Sequence, residues 1–173
     1  EAQLQAEEPV YSSSRLETIA KCPYKYFLNY VLDVSAPDET ELDLFSWLSP
    51  LEQGTLLHSV FEHFIKEMIE SREELDFEEK RKVINKILKK KDEKMREEVI
   101  PPSELIYQLK LKYLREITDL FLSLIEFELK ESEPVFVERF FDNYILKLNS
   151  GREIELRGKI DRIDKLSDGS YRI

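Results

Sequence analysis

The stretch PVFVERFFDNYILKLNSGREIELRGKIDRIDKLSDGSYRI, residues 134–173, decides the fold class of this chain. Residues 135–148 are rich in β-branched and aromatic side chains and predict a strand. A turn at 149–151 leads to a second predicted strand at 152–166, and a third begins at Tyr171. Two strands and part of a third are marginal alone, so the helices before them are expected to cover one face of the sheet.

The part of the chain before residue 134 is predicted to be mostly helical. Residues 57–68 carry large apolar side chains at helical spacing, and two further helices are predicted at 78–98 and 103–130. In the last helix the predicted buried stripe is Leu105, Ile106, Leu109, Tyr113, Ile117, Leu120, Phe121, Leu124 and Phe127. Residues 1–11 show no periodicity and predict a loose lead-in. We therefore expect one α+β domain at 12–173, helical over 12–133 and a mainly antiparallel sheet over 134–173.

Composition excludes several classes of protein. With 4 Gly in 173 residues, and neither GxGxxG nor a Walker sequence, the chain is not a P-loop nucleotide hydrolase. No apolar run reaches the roughly 18 residues of a membrane span, and no leader is recognisable, so we expect a cytoplasmic protein without a membrane partner. The single cysteine excludes an internal disulfide framework.

The net charge of -10 by itself argues against nucleic-acid binding, because DNA affinity depends largely on cationic side chains. Residues 80–96 are locally basic despite this negative net charge, since they contain nine Lys or Arg and only two acidic residues, Asp92 and Glu93. We interpret this basic segment as a solvated helix face.

Three short patterns occur in a fixed order along the chain. The first combines SSSRL at 12–16 with CPYKYF at 22–27, and the second is GTLLH at 54–58. The third is GKIDRID at 158–164, on a predicted strand that follows another strand carrying Glu138. Each pattern alone is weak evidence for a protein family, but the three patterns in this order are considerably more specific evidence.

This set resembles the nuclease domain of the RecB/AddB recombination proteins, within the PD-(D/E)xK superfamily. The resemblance covers residues 12–173 and implies a partial restriction-endonuclease-like fold. It also implies a fragment of a metal-dependent DNA exonuclease in a helicase-nuclease, which hydrolyses phosphodiester bonds in recombination and double-strand break repair. The implied partners are DNA and the helicase domains or subunit of the same complex.

The resemblance further implies that His58 and Asp161 bind a divalent cation, Mg²⁺ or Mn²⁺, and have catalytic roles. Glu138 occupies the strand position where related nucleases often carry a glutamate, so it either leans into the site or forms a structural salt bridge. The structural alternatives are a helix-terminal histidine bonded to a neighbour for His58, and a strand-edge charge paired with Arg162 or Lys159 for Asp161. Strand alternation places Asp161 and Asp164 on opposite faces, so we expect Asp164 to be a surface or turn residue.

Cys22 has two interpretations. In AddB-type nucleases the cysteine of the CP-aromatic pattern can be the first ligand of a 4Fe–4S cluster, whose other ligands would lie beyond this chain. Cys22 could instead be a buried, small apolar residue. The neighbouring aromatic side chains could stack on single-stranded bases, but at helical spacing we expect them in the core: Tyr24, Tyr26, Phe27 and Tyr30.

The resemblance also implies an Asp-x-Lys motif on the strand that begins at Tyr171, which would add a carboxylate and a lysine. Because the chain stops at Ile173, we expect it alone to bind metal poorly and to be nearly inactive. A rival interpretation is a non-catalytic nuclease-like module that scaffolds a helicase complex or grips DNA. Two others are a CRISPR-associated stand-alone exonuclease and an unrelated helical interaction domain.

Overall fold

A computed structural model describes residues 10–34, 43–71 and 75–173 of the chain. Within these residues the helices precede a three-stranded sheet of order β1-β2-β3, which confirms the α+β fold class. The helices are α1 Ser13–Lys21, α2 Pro23–Tyr26, a π-helical turn Phe27–Val31, α3 Pro50–Ser71, α4 Phe77–Glu98 and α5 Glu104–Glu128. The strands are β1 Ser132–Lys147, β2 Glu153–Leu166 and β3 Tyr171–Arg172, and β3 pairs antiparallel with β2.

The described residues fall into two compact units. Unit 1 contains residues 10–34 and Arg139–Ile160, and unit 2 contains residues 43–71, 75–138 and Asp161–Ile173. The expectation of a single domain over 12–173 stays a prediction.

Unit 2 is built around α3, α4 and α5. The apolar face predicted for α3 is present, because Leu57, Val60, Phe64 and Ile65 are all buried in the core. The helix ends follow local chemistry. A capping box between Asp76 and Glu79 opens α4, and the Ser103 side chain caps α5. In the part of the chain that is described, no helix is long and apolar enough to cross a membrane.

The buried face of α5 differs from the prediction. The residues that enter the core are Tyr107, Leu111, Leu114, Thr118, Leu122 and Ile125. Six members of the predicted stripe are exposed instead: Leu105, Leu109, Tyr113, Leu120, Leu124 and Phe127. The helix carries apolar side chains on two faces, and periodicity alone cannot tell which face meets α4.

In unit 1, hydrogen bonds join the segment before α1 to β2. The Tyr11 amide donates to the Glu155 carbonyl at 2.9 Å, and the Arg157 amide donates to the Tyr11 carbonyl at 3.0 Å. Residues 1–9 of the predicted lead-in lie outside the described residues, whereas Tyr11 is held in place by both bonds. Ser12 then caps α1.

Candidate metal centre

His58 lies on α3 at the border between its buried and its solvent-facing sides. Leu57 before it is buried in the core, while 49% of the His58 side chain is exposed. The imidazole lines an open cleft of about 160 Å³ in unit 2, whose apolar lining includes Phe61, Ile65 and Phe121. The core therefore fixes the helix, and the helix presents the imidazole to the cleft.

Glu138 reaches the same cleft from β1. Its Oε1 atom lies 3.6 Å from His58 Nε2 and is shielded from solvent. The backbone of Glu138 is left-handed, with φ of 56°, which is uncommon for a residue other than glycine. Adjacent side chains of a regular strand point to opposite faces, yet Val137 and Glu138 both line the cleft. The left-handed residue accounts for this break in the alternation.

Asp161 completes a group of three possible ligands. Its Oδ1 atom lies 3.7 Å from His58 Nε2, and 72% of its side chain is exposed. One ligand atom from each of His58, Glu138 and Asp161 lies within 4.8 Å of the other two. Two carboxylate oxygens with one imidazole nitrogen suit a hard divalent cation such as Mg²⁺ or Mn²⁺. The donor set therefore fits the implied metal, although the metal-binding and catalytic roles of these residues stay predictions.

Directly after Asp161, an ion-pair network holds the end of β2. Arg162 donates to Asp164 from Nε at 2.6 Å and from Nη2 at 2.5 Å, and also to Glu128 at 2.6 Å. Arg172, which pairs with Asp164 across β2 and β3, donates to the same carboxylate at 2.9 Å. These contacts tie the last turn of α5 to both strands beside the cleft.

The expectation that Asp164 is a surface or turn residue is wrong. Asp164 is only 3% exposed, because Arg162 and Arg172 close over its carboxylate. Burial opposes ionisation of this group, but the hydrogen bonds and positive charges of the two arginines outweigh burial and lower its pKa. Sequence reasoning did not anticipate this network. The only signal was a second aspartate on a strand, where carboxylates are depleted.

A second buried carboxylate, Asp92, lies on α4 in unit 2. It is 1% exposed and accepts a hydrogen bond from the Tyr107 hydroxyl at 2.5 Å. Burial raises the pKa of Asp92, although Tyr107 and Arg96 act in the opposite direction. Burial and the Asp92 carboxylate raise the pKa of Tyr107 to about 12. Among the described residues, Asp92 Oδ1 has no hydrogen-bond partner, so this aspartate is poorly compensated in its ionised form.

The remaining sequence candidates lie outside the group of three. Cys22 is exposed, so its interpretation as a buried apolar residue is wrong, and its Sγ accepts a hydrogen bond from the Lys25 amide at 3.4 Å. Tyr24, Phe27 and Tyr30 are exposed rather than in the core. Most basic side chains of 80–96 are solvated, as expected, and several pair with carboxylates of α4 or α5.

Comparison with known proteins identifies a matching family. Residues 10–173 match the PD-(D/E)XK nuclease superfamily. The chain is 31% identical to a subunit of an ATP-dependent helicase/deoxyribonuclease from Acetivibrio thermocellus, over 98% of this chain and 15% of that protein. The subunit of the same name from Streptococcus agalactiae is 33% identical over 92% of this chain and 13% of its own length. The one from Clostridioides difficile is 29% identical, over 91% and 14%. The chain thus spans about one seventh of these relatives.

Proposed function

Because the chain belongs to the PD-(D/E)XK nuclease superfamily, we propose that it is part of a metal-dependent DNA exonuclease. This nuclease would act together with a helicase in recombination and double-strand break repair. The observation that carries the proposal is the convergence of His58, Glu138 and Asp161, whose ligand atoms lie within 4.8 Å of one another. The names of the relatives, which combine helicase with deoxyribonuclease, support it.

In this proposal His58 Nε2, Glu138 Oε1 and Asp161 Oδ1 hold Mg²⁺ or Mn²⁺. When bound, the cation would offset the charge that develops on the phosphodiester and favour ionisation of a water. The exposed side chains of His58 and Asp161 leave the cleft open on the side from which DNA would approach. The third ligand, Glu138, is shielded from solvent and lies beside the apolar lining of the cleft.

The whole site would include more than this chain. The Asp-x-Lys motif that the resemblance implies would add a further carboxylate and a lysine, and no described lysine lines the cleft. We therefore propose that the 173-residue chain alone binds the cation weakly and cleaves little DNA. The helicase domains or subunit of the longer protein would supply the DNA and the basic channel that this acidic chain lacks. A protein that acts on chromosomal DNA would work in the cytoplasm of a bacterial cell.

A 4Fe–4S cluster is a further proposal for the longer protein. The exposed thiol of Cys22 is open to a cluster. Because Cys22 is the single cysteine of this chain, the other three cysteines would come from outside it.

The test is cleavage of linear DNA with Mg²⁺ by the longer protein that contains this chain. We expect His58→Ala and Asp161→Ala each to lower the rate by at least about a hundredfold, since each removes a ligand of the cation. His63→Ala is the matched control, because His63 is an exposed histidine on the same helix and not one of the three ligands. The rate should not change in this variant.

Two results would contradict the proposal. Cleavage that survives both ligand substitutions would remove the site assignment. Wild-type protein that binds DNA and Mg²⁺ but does not cleave would support the non-catalytic module instead.

A further inference from the structure

Unit 1 contains a groove of about 530 Å³ that shares no lining residue with the candidate metal centre. Its walls combine the rings of Phe140 and Phe141 on β1 with Arg157 and Lys159 on β2. Asp142 also lines it. Aromatic rings beside cations are the composition of sites that bind single-stranded nucleic acid without reading its sequence.

The two rings of this groove have different environments. Phe141 is packed against Gly158, so closely that a Cβ atom at position 158 would lie 2.8 Å from the Phe141 Cζ atom. Phe140 is 75% exposed and leaves most of its ring open to solvent. Phe141 is therefore held in place against β2, and Phe140 offers an open ring on which a planar group can stack.

The positive charges lie beside this platform. Lys159 Nζ is 5.7 Å from the centre of the Phe140 ring. Arg157 precedes Lys159 by two residues on β2, so both side chains leave the same face of the strand. The backbone of Arg157 is fixed by its hydrogen bond to Tyr11, and its guanidinium has no ion pair among the described residues. A phosphate could therefore bind next to a base stacked on Phe140.

We propose that this groove binds single-stranded DNA, with a base on Phe140 and the adjoining phosphates on Lys159 and Arg157. The inference rests on the proposed function, because that function makes DNA the ligand to expect. Stacking requires an unpaired base, since the faces of bases in a duplex are already covered by their neighbours. Asp142 repels phosphate on its side of the groove, which favours placing the backbone on the side of the two cations.

The test measures binding of a fluorescent oligothymidylate of about 15 nucleotides by fluorescence anisotropy, with EDTA present. EDTA removes divalent cations, so neither cleavage nor the candidate metal centre contributes to the signal. We expect Phe140→Ala to raise Kd about tenfold and Phe140→Tyr to retain binding, because tyrosine preserves the ring. Arg157→Ala and Lys159→Ala should each weaken binding and reduce the salt dependence by about one phosphate contact.

Matched controls come from unit 2. Phe127→Ala removes a ring that is 71% exposed on α5, and Lys112→Ala removes an exposed cation from the same helix. Neither should change Kd. Because Phe140 is largely exposed, its truncation should also leave the unfolding temperature within a few degrees of wild type.

Three outcomes would overturn the inference. They are wild-type protein that does not bind the oligonucleotide, an unchanged Kd in Phe140→Ala, and equal competition by duplex DNA of the same length. The nuclease proposal would fail on a different result, which is a cleavage rate that neither His58→Ala nor Asp161→Ala changes. If His58→Ala or Asp161→Ala abolishes cleavage while Phe140→Ala still weakens oligonucleotide binding, the loss of cleavage is assigned to the metal centre and not to the groove.

Discussion

Asp161 and Asp164 lie three positions apart on β2, but their surroundings are opposite. The Asp161 side chain is 72% exposed and faces His58 across an open cleft. Asp164 is 3% exposed and is enclosed by Arg162 and Arg172. One aspartate keeps lone pairs available for an incoming cation, and the other uses its lone pairs within the protein.

This difference separates a proposed metal ligand, Asp161, from a structural ion pair, Asp164. Removing an exposed carboxylate costs little stability, because water already solvates it in the folded state. Removing a buried carboxylate leaves the opposing charges without a partner. Substitution at the two positions should therefore affect different properties of the molecule.

The largest effect is expected on cation affinity. Asp161→Asn should lower the Mn²⁺ affinity of the longer protein that contains this chain on the order of a hundredfold, because even residues that only support a metal ligand contribute about 10- to 100-fold. Titration calorimetry would measure the affinity, with Asp164→Asn as the partner variant. The unfolding temperature of Asp161→Asn should stay within a few degrees of wild type. An equal loss of Mn²⁺ affinity in Asp161→Asn and Asp164→Asn would contradict this prediction.

The next effect concerns stability. Asp164→Ala should lower the free energy of unfolding by about 2–3 kcal/mol, below the usual range for a buried pair because Arg172 is partly exposed. Urea unfolding at neutral pH would measure it, with Asp161→Ala as control. Since the folded-state pKa of Asp164 is lowered, its contribution is present above the unfolded pKa and is lost as pH falls through the folded one. A change of less than about 0.5 kcal/mol would remove the structural role.

The smallest effect concerns Asp92, which is buried like Asp164 but has the opposite pKa shift. Because its folded-state pKa is raised, its contribution is greatest below the unfolded pKa and is lost as pH rises through the folded pKa. Asp92→Asn cannot ionise, so at pH values above the folded-state pKa of Asp92 it should gain about 1 kcal/mol of unfolding free energy relative to wild type. Urea unfolding at a series of pH values would measure this gain. Parallel pH profiles of the two proteins would contradict it.

Much of the architecture could be predicted because it depends on local patterns. The α3 face, the Ser103 cap and the strand-turn-strand order after Pro134 follow from residues that are close in sequence. The α5 face could not be predicted, because Leu109 and Leu111 are equally apolar and only tertiary packing places Leu111 in the core.

The candidate site, too, could be predicted from the sequence only in part. The order of the motifs pointed to His58 and Asp161, and the structure brings their side chains to 3.7 Å. For Glu138 the sequence fits both a residue that leans into the site and a structural salt bridge, since sequence does not reveal a left-handed residue within a strand. The enclosure of Asp164 depends on Arg162 and Arg172, and strand alternation does not predict that both guanidinium groups reach this carboxylate.

The left-handed backbone of Glu138 sets stability against function at one position. A residue with a Cβ atom in this conformation costs about 1–2 kcal/mol, and asparagine or glycine adopts it more readily. Directed evolution for heat resistance alone would therefore favour Glu138→Asn, and the improved survivors would have lost a carboxylate from the cleft. A library screened in this way would enrich more stable proteins that lack one of the three proposed ligands of the cation.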